Sequence, residues 1–251
     1  MGKNKLKKFN EMKGFRCVVE APMYLPEPMA HELRGAWNEK FFGRQAPIVL
    51  ELGCGKGEYT VGLARKQPER NFIGIDIKGA RIYTGAKTVE EEGIANAGFL
   101  RTQIANLPAF FAPGEIDELW ITFPDPQLKK TNKRLTSTRF IDYYRKFLKP
   151  DGIINLKTDS PFLYAYTRRL AETNGLEIIE DTDDLYATPG HELEKEIKTF
   201  YEQQWLSRGK SIKLLKFRPG VLPLAEPDVS DLEPDDYRAA ARFNRSGDDR
   251  D

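Results

Sequence analysis

Ile48-Val49-Leu50-Glu51-Leu52-Gly53-Cys54-Gly55-Lys56-Gly57-Glu58 is the stretch whose reading decides the fold class. An apolar run of β-formers enters a glycine-rich turn, and Tyr59 to Lys66 reads as the first turns of a helix. Glycines at alternate positions let the backbone approach a ligand closely, and the helix N-terminus presents free N–H groups to it. A dinucleotide fingerprint would need G-x-G-x-x-G, but its third glycine position is Glu58 and the spacing here is G-x-G-x-G. Glu51 is an acid at the end of a strand that should be buried, which is costly unless it binds something. A second apolar run, Asn71-Phe72-Ile73-Gly74-Ile75-Asp76, ends in an acid about twenty residues after the glycines, where a ribose diol would be gripped.

Outward from this unit the chain alternates. Strands are expected near 48–53, 71–76, 98–102, 116–122, 152–158, 176–180 and 211–217, and helices near 57–67, 79–92, 137–148, 161–174 and 191–208. Such a βαβ rhythm predicts an α/β fold, a doubly wound, mainly parallel seven-stranded sheet with helices on both faces. The acid-first glycine loop and the strand-end Asp76 resemble the S-adenosylmethionine pocket of the Rossmann-like class I methyltransferases. Residues 1–46 read as a basic, irregular N-terminal extension, 47–219 as the methyltransferase domain, and 220–251 as a loosely ordered tail rich in prolines and acids. The leader's Lys3, Lys5, Lys7 and Lys8 suit either a solubilising tail or an RNA-contacting arm.

Thr122-Phe123-Pro124-Asp125-Pro126-Gln127 follows the apolar run Leu119-Trp120-Ile121. Proline has no N–H for a ladder and restricts the residue before it, so Asp125 is held on a stiff turn at a strand end. Ligands bind at the carboxyl ends of strands in an open parallel sheet. The cations that follow, Lys129, Lys130, Lys133 and Arg134, suit a phosphate-bearing partner or, alternatively, a solvated loop. Asn155-Leu156-Lys157-Thr158-Asp159 ends the next strand with another acid, either a second site carboxylate or only the entry cap of the helix begun by Ser160-Pro161. Ile197-Lys198-Thr199-Phe200-Tyr201-Glu202 carries a hydroxyl, aromatics and an acid, and also reads as an amphipathic helix with Phe200 and Trp205 in the core.

At 251 residues with a net charge of +1, the chain suits one α/β domain with short extensions, and any nucleic-acid affinity must come from local basic patches. No apolar stretch reaches spanning length and no signal peptide is evident, so a cytoplasmic enzyme is expected. Cys17 and Cys54 lack metal-ligand spacing, and His31 and His191 are isolated, so neither a metal nor a disulfide framework is expected.

The ordered set of Glu51-Leu-Gly-Cys-Gly-Lys-Gly57, Phe123-Pro-Asp-Pro126 with its trailing lysines, Lys157-Thr-Asp159 and Thr199-Phe-Tyr-Glu202 resembles the bacterial tRNA (guanine-N7)-methyltransferase family over about residues 48 to 218. The resemblance implies that Glu51, Gly53, Gly55, Gly57, Asp76 and the segment at Ala105 and Asn106 hold S-adenosylmethionine. It implies that Asp125 lies at the reaction centre beside the cofactor, and that Lys129, Asp159 and Thr199 to Glu202 contact the tRNA guanine, with Lys133 and Arg134 as further tRNA contacts. The implied target is guanine N7 in the tRNA variable loop, position 46 of the tRNA, with no obligate protein partner. Two departures stand out: Gln127 occupies a position where many members have tryptophan, and neutral residues lie near Ala105 where an acid is common. Methylation of an amino nitrogen usually calls for Asn/Asp-Pro-Pro-aromatic, which is absent. A non-catalytic RNA-binding subunit is disfavoured by the intact cofactor motifs, and an NAD-dependent dehydrogenase by the glycine spacing.

Overall fold

The computed structural model describes residues 3–21 and 30–235. Its strands are β1 (Val18–Glu20), β2 (Ile48–Leu52), β3 (Asn71–Asp76), β4 (Ala97–Arg101), β5 (Ile116–Thr122), β6 (Leu148–Thr158), β7 (Ile178–Thr182) and β8 (Lys213–Phe217). They form one sheet in the order β1-β4-β3-β2-β5-β6-β8-β7. The pairs from β1 to β6 are parallel, and β8 runs antiparallel between β6 and β7. The helices are α1 (Lys3–Met12), α2 (Glu58–Lys66), α3 (Gly79–Glu92), α4 (Leu107–Phe110), α5 (Thr138–Tyr144), α6 (Pro161–Thr173), α7 (Glu192–Glu196) and α8 (Phe200–Leu206).

Every residue of β2 is buried, as a strand covered on both faces must be. Leu50, Ile73, Leu100, Leu119 and Ile154 face one layer with Phe110, Tyr144 and Tyr166, while Val49, Phe72, Phe99 and Trp120 face the other with Tyr59, Leu63 and Ile82. Each such side chain contributes about 1.5–3 kcal/mol by leaving water. The chain adds β3 and β4 on one side of β2 and β5 and β6 on the other. The carboxyl ends of neighbouring β2 and β5 therefore bound the crevice where an open α/β sheet takes its ligand.

Four expectations need correction. The sheet has eight strands rather than seven, because Val18–Glu20 in the leader pairs with Phe99 to Arg101. Three residues are too few to show a periodic pattern, and the exposed edge of β4 supplies the template. The leader is not irregular: α1 packs on α3, with Met12 buried, and Trp37, in a π-helical turn, donates Nε1–H to the Phe110 carbonyl at 2.8 Å. The helix expected over 191–208 is two helices, because Thr199 caps a new one and the carbonyls of Glu194 and Ile197 turn to the buried Lys157 ammonium. Residues 220–235 are not loose either. Their acids find specific donors: Glu226 accepts from Thr138 and Tyr166, Asp231 pairs with Arg169, and Asp235 accepts from Phe162 N–H. The proline-rich 22–29, the tail 236–251 and the side chains of Lys3 and Lys5 lie outside the described residues.

Candidate active site

The glycine loop is shaped by its backbone. Gly53, Gly55 and Gly57 have φ of +73°, +56° and +73°, the left-handed region that disfavours side chains. Gly57 is also a close approach, since a Cβ there would stand 2.6 Å from the Phe99 ring. At Gly53 a Cβ would meet nothing within 4 Å, so that position opens on space at the strand ends. The Gly53 and Cys54 N–H groups donate to the Ile75 carbonyl at 2.7 and 2.9 Å, lashing the loop to the end of β3. Asp76 accepts from Gly55 N–H at 3.0 Å and from Lys78 N–H at 2.8 Å, which fixes its carboxylate at the mouth of the loop.

Glu51 is buried below this loop. Its Oε2 accepts from Thr60 N–H and Oγ1–H at 2.9 and 2.5 Å, and its Oε1 from Thr122 Oγ1–H at 2.7 Å. One carboxylate thereby ties α2 to the end of β5. Burial pushes the Glu51 pKa up to about 7, against the opposing pull of the three hydrogen bonds. Thr60 and Thr122 are partners that the sequence did not single out; only their places, in the first turn of α2 and at the last residue of β5, hinted at them.

Asp125 is exposed beyond the end of β5. Its Oδ1 accepts from Gln127 N–H at 2.9 Å, and its Oδ2 carries no hydrogen bond among the described residues. The turn departs from ordinary geometry at both shoulders, Phe123 at φ +48° and Gln127 at φ +49°. It is held to the neighbouring strand by Phe123 N–H donating to the Lys157 carbonyl at 2.8 Å. Lys129 and Lys133 are exposed, but Arg134 is only 2% exposed and its Nε and Nη2 donate to the carbonyls of Pro126 and Leu128. Arg134 is thus set apart from the exposed lysines among the expected tRNA contacts, because its guanidinium is buried, with Nη1 also out of reach of solvent.

At the end of β6, Asp159 is 1% exposed and neither oxygen accepts a hydrogen bond of ordinary length; Lys210 Nζ lies 3.6 Å from Oδ2. Burial raises its pKa, with Lys210 acting in the opposite direction. Lys157, two residues earlier, stands in the motif without an expected site role. Its buried ammonium donates to the carbonyls of Glu194 and Ile197 and to Glu202 Oε2 at 2.6, 3.2 and 2.9 Å, and burial lowers its pKa. Glu202 is 0% exposed, spent on Lys157, the Tyr186 hydroxyl and the α8 cap, so the expected guanine contact is corrected to a structural pair. Thr199 is the N-cap of α8. Phe200, 42% exposed, donates its N–H to Glu58 at 3.0 Å and lies under Lys56 Nζ, 4.1 Å from the ring centroid; Arg81 sits 6.0 Å from the Tyr201 ring. These contacts bring the aromatic pair beside the glycine loop.

Ala105 is exposed in a short 3-10 turn after β4, and Asn106 Nδ2–H donates to Thr102 Oγ1 at 3.1 Å. A cavity of about 470 Å³ adjoins the glycine loop at Lys56 and Gly57 and runs between α2, α3 and residues 196–198, with ion pairs Arg65–Glu92 and Lys66–Glu196 on its walls. Among the described residues no cluster of His, Cys, Asp or Glu could hold a metal, and no helix is long and apolar enough to cross a membrane.

A glycine loop at the topological switch point, with Glu51 buried beside it, Asp76 ending the neighbouring strand and Asp125 exposed beyond β5, is the arrangement of a class I S-adenosylmethionine-dependent methyltransferase. A protein family described as "Putative methyltransferase" matches residues 45–215. The tRNA (guanine-N(7)-)-methyltransferase of Bacteroides thetaiotaomicron is 52% identical over 98% of this chain and 98% of its own, and that of Porphyromonas gingivalis 57% identical over 85% and 88%. The chain belongs to the tRNA (guanine-N7)-methyltransferase family. Solved structures share the fold alone: the 16S rRNA methyltransferase KamB has a TM-score of 0.56 at 16% identity, covering 75% of this chain and 94% of that one. The 30S ribosomal A1408 methyltransferase from an uncultured bacterium has 0.51 at 20%, covering 70% and 89%.

Proposed function

We propose that this protein methylates N7 of a guanine in the variable loop of tRNA, position 46 of the tRNA, using S-adenosylmethionine, and that residues 47–219 hold the reacting groups. The observation that carries the reading is the placement of Asp125, exposed on a strained turn at the switch point, across from the glycine loop in a chain of this family. S-adenosylmethionine supplies, when bound, an electrophilic methyl group on a sulfonium. The open side of Gly53 and Gly55 is where it fits, with Asp76 accepting from the ribose hydroxyls and the Ala105-Asn106 backbone and amide beside the adenine. Glu51 shapes this pocket from below and retains a lone pair on Oε1 for the cofactor's ammonium.

Guanine N7 has a free lone pair and no proton, so the residues here align rather than abstract. Held in a near-attack geometry, reacting atoms save several kcal/mol of the barrier, roughly 7–11 at the limit. Asp125 is placed to accept from guanine N–H groups and to offset the positive charge that methylation leaves on the ring. Asp159, buried without a hydrogen-bond partner, is a second acceptor for the base edge. Phe200 and Tyr201 offer aromatic faces for an unstacked base, and Lys129 and Lys133 reach phosphates. With tRNA as substrate, the cytoplasm is the place of work.

Asp125→Ala tests the reading. In single-turnover assays with unmodified tRNA and labelled cofactor, it should keep cofactor affinity and lose about 100-fold or more in rate. Asp125→Asn, which keeps one acceptor but no charge, should be similarly impaired at every pH. Parental rates in both variants would reduce Pro-Asp-Pro to a rigid turn.

A further inference from the structure

Arg134 stands within the basic run yet faces the protein. Its Nε–H donates to the Pro126 carbonyl at 3.2 Å and Nη2–H to the Leu128 carbonyl at 3.0 Å. Its plane lies over the rings of Phe162 and Tyr166 on α6, 4.8 and 4.5 Å from their centroids. The two carbonyls bracket Gln127, one of the two positive-φ residues that give the Asp125 turn its shape. Backbone held in such sparsely populated regions is strained and persists only where the surroundings over-determine it. On the C-terminal side of the turn Gln127 itself is held by its N–H to Asp125 and by Lys130 N–H to its carbonyl, and Arg134 is the side chain from outside the turn that pins the carbonyls on either side of it, as the Lys157 carbonyl pins Phe123.

The platform under Arg134 is itself braced. Tyr166 Oη–H donates to Glu226 Oε2 at 2.6 Å, and Thr138 N–H and Oγ1–H donate to Glu226 Oε1 at 3.1 and 2.6 Å. Burial and the Glu226 bond raise the Tyr166 pKa, so the hydroxyl stays a donor. Thr136 and Thr167 share a hydrogen bond at 2.7 Å beside it. Glu226 lies beyond residue 215, where the family match ends. One continuous path of contacts therefore runs from the C-terminal strap to the reaction-centre turn.

We propose that Arg134 is a positioning residue that sets the Asp125 turn for methyl transfer, and that Glu226 of the strap braces it through Tyr166. The inference rests on the reading of Asp125 as the reaction-centre residue. A guanidinium suits the task because its planar fork can reach two carbonyls while its face stacks on rings; an ammonium cannot do both. The rival role, a phosphate contact, would require a phosphate to reach a guanidinium that is 2% exposed and whose remaining nitrogen, Nη1, is also buried.

The test uses the full-length protein, an unmodified tRNA transcript and labelled S-adenosylmethionine. Arg134→Met and Arg134→Lys should each lower the saturating single-turnover rate at least about tenfold, with tRNA affinity and its salt slope at parental values. Glu226→Ala should lower the rate about threefold in the same pattern. A salt slope reduced by about one unit, with raised KM and an unchanged saturating rate, would assign Arg134 to a phosphate and overturn the proposal. If the Arg134 variants do not fold, Tyr166→Phe, which removes one hydroxyl only, should lose rate without losing tRNA affinity, and a parental rate would overturn the brace. Asp125→Ala runs alongside. An inactive Asp125 variant together with a fully active Arg134→Met overturns this inference alone, whereas an active Asp125→Ala removes the reading on which it rests.

Discussion

Lys157→Met should be among the most destabilising single changes in this protein. The Lys157 ammonium and the Glu202 carboxylate are both 0% exposed and 2.8 Å apart at their closest, and the ammonium also holds the carbonyls of Glu194 and Ile197. Methionine matches the stem but leaves two carbonyls without their donor and one carboxylate without its counter-ion. Removing one partner of a buried pair costs about 3–5 kcal/mol. Tyr186 Oη–H still donates to Glu202 at 2.8 Å and the α8 cap still reaches it, which places the expected loss near the lower end, about 3 kcal/mol. Urea unfolding of the purified variant and parent reads this as a shift in midpoint at constant slope. The double variant Lys157→Met/Glu202→Gln should recover at least about half of the loss, since a neutral amide needs no counter-ion. A loss below about 1 kcal/mol in the single variant would refute the picture of a desolvated structural pair, because that is the range of solvent-screened pairs.

Glu51 gives a pH signature. Its carboxyl holds a proton to about pH 7 in the folded protein against 4.5 ordinarily, so the folded state binds a proton that the unfolded chain has released. That contribution to stability is complete below about pH 4.5 and is lost as pH rises through about 7, by roughly 3 kcal/mol in all. Glu51→Gln should flatten this decline in cofactor-free thermal melts between about pH 5 and 8, and an unchanged decline would place the titration elsewhere. Replacing Lys129 and Lys133 together should weaken tRNA binding and reduce its salt slope by up to about two units while cofactor affinity stays parental; a parental slope would make the run a solvated loop.

The fold class was legible because backbone demands are written in residue type. Gly53, Gly55 and Gly57 each take positive φ, and a sequence without glycine there would be strained, so the loop was fixed by local chemistry. The continuous apolar run of β2 reported a strand buried on both faces, and Pro124 and Pro126 reported a strand's end. The edge strand β1 was not legible, since three residues carry no period and the partner β4 lies some eighty positions away in the register Val18↔Phe99.

The charged members of the site motifs divided only in three dimensions. Lys133 and Arg134 are neighbours of like charge, yet one is exposed and the other lies on α6 rings. Phe200 and Glu202 stand in one short motif, and the apolar ring is the exposed one. The reason is that burying a charge requires donors or acceptors brought from distant chain, 45 residues apart for Lys157 and Glu202 and 60 for Tyr166 and Glu226. Sequence therefore determined where the backbone turns and which strands are covered. Tertiary structure alone decided which charges stay exposed and which are buried on carbonyls, rings and counter-ions, because each charge's exposure depends on partners that only folding brings within hydrogen-bond reach.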